Sequence, residues 1–332
     1  MRVVWLENVI SALGLKPACT PEGDVAKQLF ALNREEPNFP SLDEFNSACP
    51  TVPRIRDIQK NIDAGYKDFT RSWGDQIESF FDPLLDFLVW TEQLAVASPW
   101  WLTLILIVAV VYLMTRHWLQ TAAVAVTMLV IGFFGMWDDS MRTLSFMLVC
   151  TVICIVLGIP MGIIMARSDR VRAMIIPILD VLQTMPSFVY LIPVVMLFGV
   201  GKVPGAIAVI AYAIPPVMRL TDLGIRLVDS EVLEASEAFG ASSWQKLIDV
   251  QIPLALPNIL AGINQTIMMA LAIVVIASMV SVRGLGIEVL EAVNNQYLAK
   301  GLFNGLAVVA FAIMFDRVTR RAITQSQKHV LD

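Results

Sequence analysis

Polar side chains inside long apolar stretches are the residues of this chain whose chemistry is easiest to name. The polar residues are Asp180, Gln183, Asn264 and Gln265. Two aromatic residues, Phe188 and Tyr190, lie close to Asp180 in sequence. An ionisable group at membrane depth is costly unless it faces a cavity or a partner. A carboxylate beside aromatic rings could attract a quaternary ammonium ion, which predicts a pathway for such a solute. The alternative is that Asp180 pairs with an arginine or caps a kinked helix.

Sequence signatures of catalysis and of bound cofactors are missing. The chain has no G-x-x-x-x-G-K-[ST] loop, so it cannot cradle the phosphates of ATP itself. It also lacks G-x-S-x-G, H-E-x-x-H and a plausible pair of carboxylates. His117 and His329 stand alone, and no histidines and cysteines are grouped at metal-ligand spacing. These absences argue against an enzyme, a metal site or another cofactor in this chain.

The four cysteines divide into two pairs. Cys19 and Cys49 lie in the N-terminal region, where an oxidising compartment could join them, and two free thiols fit the sequence equally well. Cys150 and Cys154 are four residues apart in an apolar segment and are interpreted as small packing residues.

Membrane-spanning helices are the elements that must position these residues. The chain is 57% hydrophobic and 16% charged, with a mean hydropathy of +0.68, whereas soluble domains are about 45–50% apolar and about 25% charged. A bilayer core needs about 20 apolar residues as helix. The fold class is therefore all-α and polytopic. Seven spans are predicted: Leu94–Met114, Trp118–Trp137, Met141–Ala166, Met174–Gly199, Val203–Leu220, Asn258–Val282 and Leu298–Phe315.

Lysine and arginine in the short loops set the predicted orientation. The segment RSDRVR at 167–172 and the tail at 316–328 are basic, so both are expected to be cytoplasmic. Counting back through seven spans places the N-terminus outside and the C-terminus inside. The segment 221–256 then lies on the cytoplasmic side.

The region before the first span is predicted to have two parts. Residues 1–52 form an extracytoplasmic tail whose fold the sequence does not determine. Within 53–93, apolar and aromatic residues recur at steps of three and four with charged residues between them, which is the pattern of an amphipathic helix. Such a helix suits the membrane interface or a partner helix, and packing on the protein's own spans is an equally good interpretation.

The cytoplasmic segment 229–257 predicts two short helices. Asp229 or Ser230 can cap the first helix, and Gly240 can take the positive φ that stops it. Ser242-x-x-Gln245 is a capping-box pattern that opens the second helix, which Pro253 and Pro257 are expected to end. Both short helices have an apolar face with no span of its own to cover. This favours a docking element for another protein over a loop that rests on the spans.

The residues of this segment resemble a known signature. The pattern E-A-S-x-x-x-G, followed after nine residues by V-Q-I-P, is similar to the EAA loop of permease subunits in ABC importers, with Ser236, Val250 and Ile252 as departures of similar size. The resemblance implies a type I importer permease core. It also implies a contact region for a cytoplasmic ATPase, formed by Glu234, Ala235, Ser236, Ala238, Phe239 and Gly240 and supported by Trp244, Ile252 and Pro253.

Three longer segments narrow the resemblance. The stretches 177–205, 213–221 and 234–286 are similar to permeases of glycine betaine/proline betaine importers, and the resemblance runs from about residue 65 to 320. It implies a substrate among quaternary amine or amine oxide osmolytes and a location in the bacterial inner membrane. The implied domains are a tail (1–52), an amphipathic segment (53–93), two peripheral spans (94–137), a permease core (138–320) and a cytoplasmic tail (321–332).

The resemblance also implies partners. In that family a separate ATPase carries ATP and magnesium, an extracytoplasmic binding protein delivers the substrate, and two permease chains pair around one pathway within the lipid bilayer. No nucleic acid is expected as a partner. The alternatives are an ABC permease for an amino acid, sulfonate or oxyanion and a stand-alone secondary transporter or channel.

Overall fold

The computed structural model describes Asn46 and residues 54–331, and the described part is helical with no strand. The all-α fold predicted from the sequence is therefore confirmed. Cys19 and Cys49, and the predicted tail 1–52 except Asn46, lie outside the described residues.

The helices follow one another through short connections. A π-helical turn, Lys246–Gln251, joins α9 directly to α10, and a 3₁₀ turn, Ser278–Val280, follows α10. The helices are α1 (Ile55–Ala97), α2 (Trp100–Thr115), α3 (Trp118–Phe133), α4 (Trp137–Arg167), α5 (Asp169–Thr184), α6 (Ser187–Phe198), α7 (Lys202–Arg226), α8 (Ser230–Ala238), α9 (Ser243–Gln245), α10 (Ile252–Ala277), α11 (Leu285–Asn295) and α12 (Leu298–Leu331).

The chain divides into two compact units, Met1–Asp75 and Gln76–Asp332. In the first unit, the beginning of α1 is amphipathic, and it exposes Ile62 and Trp73 between charged residues. The predicted helix over 53–93 is thus present. It continues to Ala97, so the domain boundary predicted at residue 93 falls inside a helix.

Six of the seven predicted spans match helices or bent helix pairs that are long and apolar enough to cross a membrane. Among the described residues, α4, α7, the continuous stretch Ser243–Val280 and α12 qualify alone, and two bent pairs qualify jointly. The seventh segment is α3, a shorter apolar helix of 16 residues.

Two predicted spans are wrong as continuous helices. Leu94–Met114 is split at Ser98 and Pro99, where α1 and α2 meet at 109°. Met174–Gly199 is split at Met185 and Pro186, where α5 and α6 meet at 98°. Proline disfavours helical geometry in the residue before it, so an apolar run can turn sharply without changing its hydropathy.

The hydrophobic core lies where α7 packs between α4 and α10. Its central residues are fully buried and include Met147, Val209 and Ala270. Cys150 and Cys154 are also fully buried and free, which confirms their interpretation as packing residues.

Glycines bring these three helices close together. A Cβ atom on Gly162 of α4 would lie 2.7 Å from the carbonyl oxygen of Met218, and one on Gly262 of α10 would lie 3.0 Å from the Cα atom of Val217. Since lipid supplies no hydrophobic driving force between spans, such close backbone approach contributes directly to their association. The small-residue series that begins at Gly158 and Gly162 therefore marks the α4–α7 contact.

Candidate functional site: the cytoplasmic helix pair and the polar residues of the spans

The helix α8 has the start and stop that its sequence predicts. Asp229 caps its N-terminus, because the carboxylate accepts a hydrogen bond from the backbone N–H of Glu231 at 3.0 Å. At the other end Gly240 adopts φ +83°, and the N–H groups of Gly240 and Ala241 donate to the carbonyls of Glu237 and Ser236. This pair of bonds is a Schellman motif, which satisfies the last carbonyls of the helix.

The second helix begins at the predicted capping box. The backbone N–H of Ser242 donates to Oε1 of Gln245 at 2.9 Å, and the N–H of Gln245 donates to Oγ of Ser242 at 3.3 Å. An ion pair between Lys246 and Glu237 ties the second helix to the first across Gly240. The chain between the two helices is therefore held by specific bonds on both sides.

The predicted end of the second helix is wrong. Neither Pro253 nor Pro257 stops it, and the chain continues as helix from Ser243 to Val280. A proline ring clashes with the carbonyl four residues earlier in an α-helix. The π-helical turn Lys246–Gln251 precedes Pro253 and changes the hydrogen-bond register there, and Pro253 itself occupies the first turn of α10, where its missing N–H is tolerated.

The helix pair rests on the spans through one side only. Leu247 is buried with Ile225, Ala255 and Ile259, which fixes the π-helical turn against the ends of α7 and α10. By contrast α8 buries none of its residues, Phe239 is 93% exposed and Trp244 is 64% exposed. An apolar surface on an element that no other described residue covers is a candidate contact surface for another protein.

The residues predicted to contact a partner have a common setting. Five of the six are exposed, whereas Ser236 is half-buried and its hydroxyl donates to the carbonyl of Leu233 at 2.7 Å. The supporting residues Ile252 and Pro253 are half-buried. The five exposed residues are Glu234, Ala235, Ala238, Phe239 and Gly240.

A charged cluster joins the helix ends beside this surface. The carboxylate of Asp222 is 6% exposed and accepts from Nε of Arg172 at 2.9 Å and from Nε of Arg226 at 2.8 Å. Arg226 also pairs with Asp169 at 2.7 Å and donates to the carbonyl of Met165 at 2.8 Å. Three helices, α4, α5 and α7, therefore share one network at the end of α7 that adjoins α8.

The polar residues of the spans divide among different contacts. Nη2 of Arg219 lies 2.6 Å from Oδ1 of Asp180, so Asp180 has the arginine partner that the sequence left as an alternative. Nδ2 of Asn264 donates to Oδ1 of Asp316 at 3.1 Å. Gln183 contacts Sδ of Met269 at 3.9 Å.

The remaining predicted pathway residues differ in exposure. Gln265 and Phe188 are exposed, and Tyr190 is buried. Sequence reasoning missed Arg219, Asp222 and Asp316 as partners. Their only signal in the sequence was a charge within an apolar helix, and the partners of Asp180 and Arg172 lie 39 and 50 residues further along the chain.

The fold and this site together define an all-α polytopic membrane protein with a rigid, exposed helix pair between two of its spans. The model of the family described as "binding-protein-dependent transport system inner membrane component" matches residues 158–323. The glycine betaine/carnitine transport permease protein GbuB of Listeria monocytogenes is 41% identical over 274 residues, which are 82% of this chain and 95% of that protein. The chain therefore belongs to this family of inner membrane transport components.

Two further comparisons agree with this assignment. The glycine betaine/proline betaine transport system permease protein ProW of Escherichia coli (strain K12) is 48% identical over 198 residues, which are 60% of this chain and 56% of that protein. This match thus spans little more than half of the ProW relative. An inward-facing structure of the MetNI methionine ABC transporter aligns with a TM-score of 0.51 and 18% identity, over 56% of this chain and 93% of that chain. At that identity the likeness shows the fold alone.

Proposed function

We propose that this chain is the membrane-spanning permease subunit of an ATP-driven importer that takes up glycine betaine, proline betaine or a related quaternary amine or amine oxide. Its membership of the inner membrane component family and the names of its relatives support this proposal. The proposed location is the bacterial inner membrane, with the N-terminus outside and the C-terminus inside. The basic segments at 167–172 and 316–328 support that orientation.

The exposed surface of α8 is the observation that carries the proposal. This nine-residue helix has no fully buried residue, so packing against the described part of the chain stabilises it little. Its two ends are nevertheless fixed by a side-chain cap and a Schellman motif, so it is presented in one conformation. Such preorganisation lowers the entropic cost of binding a partner. The proposed partner is a cytoplasmic ATPase that carries ATP and magnesium, and Phe239 is the proposed anchor.

The other proposed partners follow from the class of transporter. A binding-protein-dependent system requires an extracytoplasmic protein that delivers the solute, and the family description supports this partner. A second copy of this chain would complete the pathway. In this mechanism ATP binding closes the ATPase pair and moves α8, and the helical continuity from Ser243 to Val280 carries the movement into a span.

A pull-down from native membranes tests the proposed ATPase contact. The tagged wild-type chain is expected to recover an ATPase, and Gly240→Val is expected to lose it. Valine resists the φ of +83° found at Gly240, while nothing lies within 4 Å of the added Cβ atom. The matched control is Gly135→Val, which also replaces a glycine of positive φ (+77°) in open space.

The outcomes of this experiment are distinct. Loss of the ATPase with Gly240→Val and its retention with Gly135→Val would support docking at α8. Failure to recover any ATPase with the wild-type chain, with or without nucleotide, would contradict the importer proposal. Uptake of radiolabelled glycine betaine by the reconstituted assembly then tests the substrate, with an amino acid and a sulfonate as competitors.

A further inference from the structure

The ion pair between Asp180 of α5 and Arg219 of α7 is unusually accessible for its position. Its two side chains are 57% and 38% exposed, although the N–O distance is only 2.6 Å. By contrast, at the other end of α7 the ion pair of Lys202 with Glu92 has the same N–O distance, and its side chains are only 21% and 17% exposed.

The depth of the pair follows from helix geometry. Arg219 precedes Arg226 by seven residues, which places it about 10 Å further into the span along α7 at 1.5 Å per residue. Arg226 belongs to the charged cluster of Asp222, which marks the cytoplasmic end of the proposed topology. At that depth an exposed carboxylate and guanidinium cannot face lipid without a large cost, so this side of α5 and α7 faces water or another chain.

Groups at and near the ion pair are available to bind a further molecule. Nε of Arg219 is buried and has no hydrogen-bond partner among the described residues, although its N–H can donate. Tyr212 is half-buried and lies two helical turns before Arg219, on the same face of α7. A carboxylate, a guanidinium with a free donor and an aromatic ring therefore follow one another along this side of the helices.

We propose that Asp180 and Arg219 form a binding site for a zwitterion within the spans. The inference rests on the proposed function, because it assigns to these two charges the substrate class named there. The carboxylate of Asp180 takes the quaternary ammonium group, and the guanidinium of Arg219 takes the carboxylate of the substrate. Tyr212 supplies an aromatic face for the ammonium group.

The exchange of partners explains why the site carries both signs of charge. In the structure the two side chains neutralise each other. A zwitterion that enters between them replaces each charge with one of equal sign, so no charge is left unpaired at membrane depth. A purely cationic solute would pair with Asp180 and leave Arg219 without an anion, so it forms one ion pair where a zwitterion forms two. The site therefore selects zwitterions over simple cations.

The first test is the thermal stability of the purified full-length permease with and without glycine betaine. The variant carries Asp180→Leu and Arg219→Met together, because apolar replacements of both partners of an ion pair are tolerated better than removal of one. The matched control carries Glu92→Leu and Lys202→Met at the other end of α7. Betaine also stabilises proteins by exclusion from their surfaces, and the variants report that contribution separately.

Wild type and the control are expected to gain about 2 °C or more in melting temperature beyond the gain of the double variant at saturating betaine. Choline, which lacks the carboxylate, should give a smaller gain, and Arg219→Lys should reduce the difference between the two solutes while the chain stays folded. Equal gains in wild type and the double variant would overturn the proposal. So would a change from dimer to monomer caused by the double variant, since the pair would then be a contact between copies.

Measurements of glycine betaine uptake test the zwitterion site and the substrate class separately. If the wild-type assembly takes up glycine betaine and the double variant transports it at an unchanged rate, the permease proposal stands and the zwitterion site is wrong. If the wild-type assembly does not take up betaine at all, the substrate class is wrong and this inference fails with it. A loss of uptake by at least tenfold in the double variant, with uptake retained in the control, supports the site.

Discussion

The helices α7 and α8 are separated by three residues and are stabilised in opposite ways. More than half of the residues of α7 are buried between α4 and α10, and its backbone approaches theirs at Gly162 and Gly262. The helix α8 buries no residue, and its conformation depends on a cap and a glycine. The difference teaches that close packing limits which residue types fit in α7. In α8 the limit comes from the backbone hydrogen bonds at the two helix ends, so its exposed surface is available for recognition.

Replacement of the buried carboxylate of α7 should have the largest effect on stability. Asp222→Asn keeps the shape of the side chain but removes the charge that Arg172 and Arg226 share, and breaking a buried pair costs about 3 kcal/mol or more. Chemical denaturation of the purified chain measures the loss. Asp68→Asn is the control, because its pair with Arg71 is 3.7 Å long and both side chains are at least 75% exposed, so it should change stability by less than about 0.5 kcal/mol.

A methyl group between α4 and α7 should have the next largest effect. Gly162→Ala places a Cβ atom 2.7 Å from the carbonyl oxygen of Met218, and overpacking of this kind costs about 1–3 kcal/mol. The melting temperature in detergent should fall accordingly. Gly305→Ala in α12 adds a Cβ atom with nothing within 4 Å, so it should be neutral or slightly stabilising. Equal effects at the two glycines would show that helix propensity, not close packing, dominates at Gly162.

Truncation of the exposed ring beside α8 should leave stability unchanged and weaken partner binding. Phe239→Ala removes a side chain that is 93% exposed, so the chain loses no buried contact. If Phe239 is a hot spot of the proposed ATPase contact, its loss should weaken binding by about 2 kcal/mol, or roughly 30-fold. Titration of the purified ATPase measures this. Phe133→Ala is the control, since that ring is 90% exposed at the end of α3 and should not affect binding.

Removal of the capping box should have the smallest effect and a local one. Ser242→Ala loses the acceptor for the N–H of Gln245, which costs about 1 kcal/mol. Hydrogen exchange should accelerate about fivefold in the turn Lys246–Gln251 and not in the core of α10. Ser236→Ala, which loses only a bond from the hydroxyl to the carbonyl of Leu233, should leave these rates unchanged. Acceleration along the whole of α10 would show that the turn and the span unfold together.

Local signals in the sequence predicted much of this molecule. Asp229, Gly240 and the Ser242–Gln245 pair act on neighbouring backbone groups, so their positions alone predict where α8 begins and ends and where α9 begins. The prolines were less informative, because proline bends the chain at Pro186 and lies within helix at Pro257. Which outcome occurs depends on neighbouring helices and on the hydrogen-bond register before the ring.

Partners distant in sequence could not be predicted from it. The arginine that meets Asp180 is 39 residues away, and its position depends on how α5 and α7 cross. Hydropathy likewise recognises apolar length but not direction, so it predicts straight spans across the bends at Pro99 and Pro186. The roles of the predicted contact and pathway residues remain predictions that the experiments above address.

The unbroken helix from Ser243 to Val280 has a mechanical consequence. Thirty-eight residues form a rod of about 57 Å at 1.5 Å per residue. If the proposed ATPase displaces Trp244, a continuous helix would carry that displacement towards Val280, whereas a flexible loop would not. Leu247 is buried against the ends of α7 and α10, close to the cytoplasmic end of this helix. It would therefore be the fixed point about which the helix tilts.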